Sequence, residues 1–320
     1  MTGRLSGTHL VLVGPTASGK SALAVGLALR RIAQGQPTEI VSCDSMAVYR
    51  GMDIGTATPT EAEQCGVRHH LLDVVDPAEE FSVARFVALV DAALDGIEGR
   101  GASAILVGGT GLYVRAVVDR FELPGRFPDV AVELDHVSTD ELRRRLEELD
   151  PVAASRVPDG NRRRLIRALE VTIGSGRPFS SHGPGMDSFG DTPFVLAGLT
   201  VSRDAMRTRI AARYDSQMAE GFLEEVRDLS ARPGGLSRTA AEALGYRELL
   251  AHLRGELELS QALDLAVQHT RRFAVRQERW FRRDPRIRWF DAPGDAAEID
   301  DLWSELAPGP GGRATTVERS

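Results

Sequence analysis

The sequence predicts an α/β fold: a parallel sheet flanked by helices, with an all-helical insertion. Three observations carry this reading. Strand-like apolar runs alternate with helical segments between residues 8 and 118. The spacing G-x-x-x-x-G-K-S, Gly14-Pro15-Thr16-Ala17-Ser18-Gly19-Lys20-Ser21, falls between the first strand and the first helix. From about Phe121 the alternation gives way to arginine-rich helical sequence, until a strand-like run returns at Phe194.

The first strand is His9-Leu10-Val11-Leu12-Val13, short, apolar and β-branched. The glycine-framed octapeptide follows, then an Ala/Leu-rich helix from Ser21. This is the context of a phosphate-binding loop, so the sheet is P-loop NTPase-like. Backbone N–H groups of residues 16 to 21 wrap phosphate oxygens, the ammonium reaches the outer phosphates, and the Ser21 hydroxyl faces Mg²⁺. The helix N-terminus adds its dipole. Lys20 is the one lysine among 39 Lys plus Arg residues. A compact ammonium enters a crowded cradle that a flat guanidinium fits poorly.

A second strand, Glu39-Ile40-Val41-Ser42-Cys43, ends at Asp44. Phe81 to Ile97 reads as an amphipathic helix. A third strand, Ala102 to Val107, runs into Gly108-Gly109-Thr110-Gly111. Residues 120–199 read as the helical insertion, helical from Thr139 to Ile173 and loop-like from Gly174 to Pro193. Phe194 to Val201 is a buried strand, and 202–283 is mostly helical. The expected organisation is therefore a catalytic core of 1–119 and 200–306, an insertion of 120–199, and a disordered Gly/Pro-rich tail of 307–320.

Composition narrows the function. A formal net charge of −7 provides no global basic field, so any polyanion must meet a local arginine surface. Cys43 and Cys65 cannot build a disulfide scaffold, and no Cys/His spacing suggests zinc. With no signal-peptide pattern and no stretch of membrane-spanning length, a cytoplasmic location without membrane contact is expected, and a monomer.

In a parallel sheet the carboxyl ends of the strands share one edge, where ligands bind. The phosphate loop, Asp44 and Thr110 all fall there. Asp44 suits a general base, a magnesium ligand or a helix cap. The third strand lacks the acid that organises Mg²⁺ in ATP-hydrolysing P-loop proteins; its Gly-Gly-x-Gly is either a tight turn or a place where backbone approaches a ligand closely. Arginines cluster at Arg162, Arg163, Arg164 and Arg167, and again from Arg271 to Arg288, where eight stand against two acids with Phe273, Trp280, Phe281 and Trp289 interleaved. Such arginines suit RNA phosphates, while the helical spacing of the aromatics suits the core. His69-His70 lacks metal-ligand spacing and reads as structural, and Cys43 as a small core residue. A P-loop small-molecule kinase and a non-catalytic, nucleotide-sensing RNA-binding module are the competing readings.

Several segments together resemble the tRNA dimethylallyltransferases (tRNA isopentenyltransferases), in their bacterial form. They are the phosphate loop; Asp44-Ser45-Met46-Ala47-Val48-Tyr49-Arg50-Gly51-Met52-Asp53-Ile54-Gly55-Thr56-Ala57; Arg68 to Pro77; Val107 to Tyr113; Arg164 to Glu170; Gly245-Tyr246-Arg247-Glu248; and Thr270 to Arg283. The resemblance spans about residues 8 to 292. It implies transfer of a dimethylallyl group from dimethylallyl diphosphate to N6 of the adenine just 3′ of the anticodon in tRNA. The loop would hold the donor's diphosphate, with Mg²⁺ at Ser21, rather than ATP as phosphoryl donor. Asp44 matches the general base, with Lys20 and Thr110 also catalytic. Positions matching tRNA contacts are Asp44, Ser45, Met46, Ala47, Thr110, Arg163, Arg164, Leu165, Ile166, Arg167, Gly245, Tyr246 and Arg247, which would engage the anticodon stem-loop.

This chain departs from the family pattern in places. Ala47 stands where Gln is usual, Thr58 where Lys is usual, and Arg163 where Gln is usual; Gln is also usual near Glu242. The insertion is short, and an arginine expected near Ala131 is missing.

Overall fold

A computed structural model describes residues 9–306 except Pro184 and Asp187. In chain order the elements are β1 (His9–Val13), α1 (Lys20–Ala33), β2 (Thr38–Ser42), α2 (Glu61–Gln64), β3 (His69–His70), α3 (Val83–Gly99), β4 (Ser103–Gly108) and α4 (Gly111–Val118). Then come α5 (Pro128–Asp135), α6 (Thr139–Leu149), α7 (Pro151–Arg156), α8 (Arg162–Ser175) and β5 (Phe194–Thr200). The chain continues with α9 (Arg203–Ala219), α10 (Phe222–Ala231), α11 (Arg238–Ala241), α12 (Tyr246–Leu253), α13 (Leu259–Phe281), β6 (Arg288–Asp291) and α14 (Ala296–Leu306).

The chain forms two compact units. One runs to Asp119 and resumes at Asp191; the other is Arg120–Gly190. The insertion read from sequence as 120–199 thus closes earlier. Phe194–Thr200 is a core strand, in register with β1 from His9↔Phe194 to Val13↔Gly198. The expected disordered tail, 307–320, lies outside the described residues.

In the first unit the sheet is parallel throughout, in the order β3-β2-β4-β1-β5-β6. Every residue of β1 and β2 is buried, as expected of central strands covered on both faces. One face is covered by Phe86, Val90, Leu94 and Ile97 of α3, spaced to fall on a single helix stripe. The other is covered by Ala24, Leu27 and Ala28 of α1 with Ile299 and Trp303 of α14. Arg31 joins these two helices through Asp300 at 2.6 Å and lies over the Trp303 ring. His69 and His70 pair with β2 as a short edge strand, and His70 bonds Glu39 at 2.6 Å.

The loop after β2 is strapped to the helices. Glu225 accepts the amides of Asp53, Ile54 and Gly55 at 2.9, 2.7 and 3.1 Å, and the Tyr246 hydroxyl donates to the same carboxylate. A Cβ at Gly55 would drive into the rings of Phe222 and Tyr246. Gly55→Ala should therefore cost about 1–3 kcal/mol through overpacking. The expected result is a lower urea midpoint with an unchanged slope; an unaltered midpoint would show that the rings move aside.

The second unit is a small helical bundle around Leu134, Leu142, Leu146, Leu165 and Leu169. The stretch read as helical from Thr139 to Ile173 is interrupted twice. Asp150 caps α7 through the Ala153 amide, with Pro151 in its first turn, and Pro158-Asp159-Gly160 separates α7 from α8.

Candidate active site

The phosphate loop occupies the carboxyl end of β1 and opens α1. Ala17 and Gly19 adopt positive φ, 62° and 88°, which turns successive amides inward. Among the described residues no protein hydrogen bond claims the amides of Ala17, Gly19, Lys20 or Ser21. The amide of Thr16 differs from expectation: it donates to Gln277 Oε1 at 2.9 Å and is not available to an anion. Ser18 is fully buried, and its Oγ has no hydrogen-bond partner among the described residues. A Cβ at Gly14 would come within 3.0 Å of that atom.

Lys20 is half-buried, with its Nζ 3.4 Å from the Pro15 carbonyl. Desolvation pulls its pKa down to about 8; the Arg213 charge lowers it further, and the Asp44 carboxylate opposes both. An anion bound in the loop favours the ammonium, so above about pH 8 binding must take up a proton. Donor affinity should weaken as pH rises through about 8, approaching tenfold per pH unit well above it. Calorimetry in buffers of different ionisation enthalpy measures the uptake; no uptake at pH 9 would contradict the lowered pKa.

Asp44 follows β2. One of its oxygens accepts the Met46 amide at 2.8 Å, the Asx turn of the cap-like reading. Its charge nevertheless bears on both Lys20 and Arg213, so the carboxylate lies near the cradle. Thr110 follows β4 and does not cap α4 with its side chain. Its hydroxyl instead accepts the Ser45 amide at 3.2 Å and donates to Ser45 Oγ at 3.3 Å. The structure thus brings together Lys20, Asp44, Ser45 and Thr110. The glycines before Thr110 allow protein, not ligand, to approach: a Cβ at Gly108 would strike the Cys43 carbonyl, and one at Gly109 the Gln277 amide. Cys43 is buried, and desolvation followed by the Asp44 charge pushes its thiol up.

Three site residues were not singled out by the sequence reading. Arg213 on α9 donates to Thr16 Oγ1 at 3.0 Å, and Arg209 to the Ala17 carbonyl at 3.2 Å. Both line a cleft of about 440 Å³ along the outer side of the loop, with Ser18, Gly19 and Gly294. Gln277 on α13 is the third. All three lie more than 190 positions from their partners in the loop, in a helical stretch where one arginine or glutamine looks like its neighbours.

The positions expected to touch tRNA divide by burial. Arg163 and Arg164 are exposed, but Leu165 is fully buried in the small bundle and Ile166 packs against it. Arg167 is committed to the Pro124 and Gly125 carbonyls and to Glu170, so it pins its own unit together. Tyr246 is fully buried with its hydroxyl on Glu225, and Gly245 is buried with φ 87° against Phe222. Arg247 remains partly exposed, held by Glu248 at 2.6 Å. Met46 is half-buried, while Ala47 is buried with its carbonyl taken by the Asp73 amide at 3.2 Å. Arg272, Arg276 and Arg279 make an exposed stripe on α13, opposite buried Thr270, Ala274, Gln277 and Phe281. Trp280 packs on Gly111, and Arg282 lies 4.2 Å over the Trp289 ring.

The sequence model of the IPP transferase family matches residues 47–284, well over half of the chain. The chain belongs to this family. Among curated IPP transferase relatives, the tRNA dimethylallyltransferase of Kineococcus radiotolerans is 46% identical over 296 residues, covering 91% of this chain and 93% of its own. That of Nocardioides sp. is 45% identical, covering 89% and 92%. The crystal structure of the full-length tRNA isopentenylpyrophosphate transferase of Bacillus halodurans is 37% identical and superposes with a TM-score of 0.68, covering 93% of this chain and 97% of that one. The chain is thus a transferase, and the small-molecule kinase reading is set aside. No described helix of this IPP transferase is long and apolar enough to cross a membrane.

Proposed function

We propose that this chain transfers a dimethylallyl group from dimethylallyl diphosphate to N6 of the adenine immediately 3′ of the anticodon in tRNA, releasing diphosphate. The observation that carries the reading is the pairing of two opposed functions at one sheet edge. A cradle of unclaimed amides, Lys20 and Arg213 suits a polyanionic leaving group, and the Asp44 carboxylate beside it suits a base. The relatives' names support tRNA as the acceptor and a dimethylallyl or isopentenyl group as what is moved.

In the reaction the adenine N6 lone pair attacks C1 of the allyl group as the C1–O bond breaks. Negative charge grows on the departing diphosphate, where Lys20, Arg213 and the loop amides stabilise it by preorganised electrostatics. The N6 amine is weakly nucleophilic because its lone pair is delocalised into the ring. Asp44 takes its proton, with the Met46 amide and the Ser45–Thr110 hydrogen bonds holding that loop in place. The adenine must leave its stack, at a cost of a few kcal/mol. Exposed Arg163, Arg164, Arg272, Arg276 and Arg279 offer phosphate contacts that offset this.

Ser21 fits a role in holding Mg²⁺. It lies exposed in the first turn of α1 beside the unclaimed amides. Among the described residues no three His, Cys, Asp or Glu side chains converge, which suits an ion held mostly by the diphosphate and water. Bound there, Mg²⁺ would neutralise part of the leaving group's charge. A monomer working in the cytoplasm completes the reading.

Incubation with tRNA, dimethylallyl diphosphate and Mg²⁺, followed by mass spectrometry of the nucleosides, tests it. The expected product is adenosine bearing one dimethylallyl group, from the nucleotide 3′ of the anticodon. A product only with labelled ATP, or no product with a full tRNA pool, would reject it.

A further inference from the structure

Gln277 is buried in α13, only 7% exposed, and reaches two strand-end loops at once. Its carbonyl oxygen accepts the Thr16 amide at 2.9 Å, and its Nε2 donates to the Gly109 carbonyl at 2.8 Å. The partners dictate the orientation of the amide, since a backbone N–H needs an acceptor and a backbone C=O a donor. Gly109 has no room for a Cβ against that Nε2. Thr16 is gripped from its other side by Arg213. The residue after Gly109 is Thr110, whose hydroxyl receives the amide of Ser45, next to Asp44. One side-chain amide therefore links the anion cradle to the turn that holds the carboxylate loop.

We propose that Gln277 is a positioning residue: it sets the distance between the cradle and Asp44, and so between the leaving diphosphate and the base. The proposal rests on the prenyl-transfer reading above. An amide is suited to the task because it accepts and donates at neighbouring atoms without carrying charge into a site already containing Lys20, Arg213 and Asp44. Misplacement of reacting groups by about 1 Å is enough to cost on the order of a hundredfold in rate. Gln277 also shares its helix with Arg272, Arg276 and Arg279, so the surface offered to RNA phosphates and the link between the loops are parts of one rigid element.

Gln277→Glu and Gln277→Met test this with kcat, donor KM and thermal unfolding measured for both. Ionised Glu can accept from Thr16 but opposes the Gly109 carbonyl, whereas protonated Glu can donate to it. At pH 8 both variants should lose tenfold or more in kcat, with donor KM changing less. From pH 8 to 6 the ratio of Gln277→Glu to wild type should climb at least fivefold, and the ratio for Gln277→Met should stay constant. Gln277→Met, which adds no charge, shows how much pH dependence follows from losing the amide alone. A flat ratio for Gln277→Glu, or kcat within twofold of wild type in both variants, would overturn the proposal. A loss that only follows lowered unfolding temperature would do the same, by making Gln277 a scaffold residue. Failure of the wild-type protein to prenylate tRNA at all would instead strike the function reading, so the two failures are separable.

Discussion

Asp44→Asn should leave dimethylallyl diphosphate bound and lower turnover by roughly 10²–10⁴. Asn keeps the oxygen that accepts the Met46 amide, so the local turn survives and the loss is chemical. The substitution also removes a negative charge that favours the charged forms of Lys20 and Arg213. The pKa of Lys20 should fall further, and the alkaline loss of donor affinity should begin at lower pH than in wild type. Single-turnover rates and a binding titration at pH 7 and pH 9 read both effects. Near-normal turnover would remove Asp44 from the role of base, and an unmoved alkaline limb would deny its coupling to the lysine.

Lys20→Ala should lower kcat/KM by roughly 10²–10³, the scale of losing one preorganised partner of a developing anion. Its stability should not suffer: the ammonium is desolvated and faces Arg213, so its removal relieves a cost. The expected pair of results is severe loss of activity with an unfolding temperature equal to or above that of wild type. Lys20→Arg should fail to restore activity, because a planar guanidinium does not fit where Nζ lies 3.4 Å from the Pro15 carbonyl. Full activity in Lys20→Arg would show that only charge matters at this position.

Much of this site is legible in sequence because its residues are local. The loop from Gly14 to Ser21 lies between a buried five-residue strand and an Ala/Leu helix, and both form where the pattern places them. Asp44 and Thr110 are legible because parallel strands deliver their carboxyl ends to one edge. Residues that complete the site from afar are not. Arg213 and Gln277 reach the loop across 197 and 261 positions, and no spacing rule connects such pairs. Short edge strands were lost for a related reason: the two residues of β3 and the four of β6 are too brief to show a period. A matching segment also mixes residues facing solvent with residues that hold the segment in place: Leu165 and Tyr246 are buried, and Arg167 is bonded to the Pro124 carbonyl.

The most direct measurement is a crystal structure with a non-hydrolysable dimethylallyl diphosphate analogue. The diphosphate should lie in the loop of residues 14–21, within hydrogen-bond distance of Lys20 Nζ and the Arg213 guanidinium, with the allylic carbon directed toward Asp44. A diphosphate bound away from that loop, or an allyl group pointing away from Asp44, would contradict it.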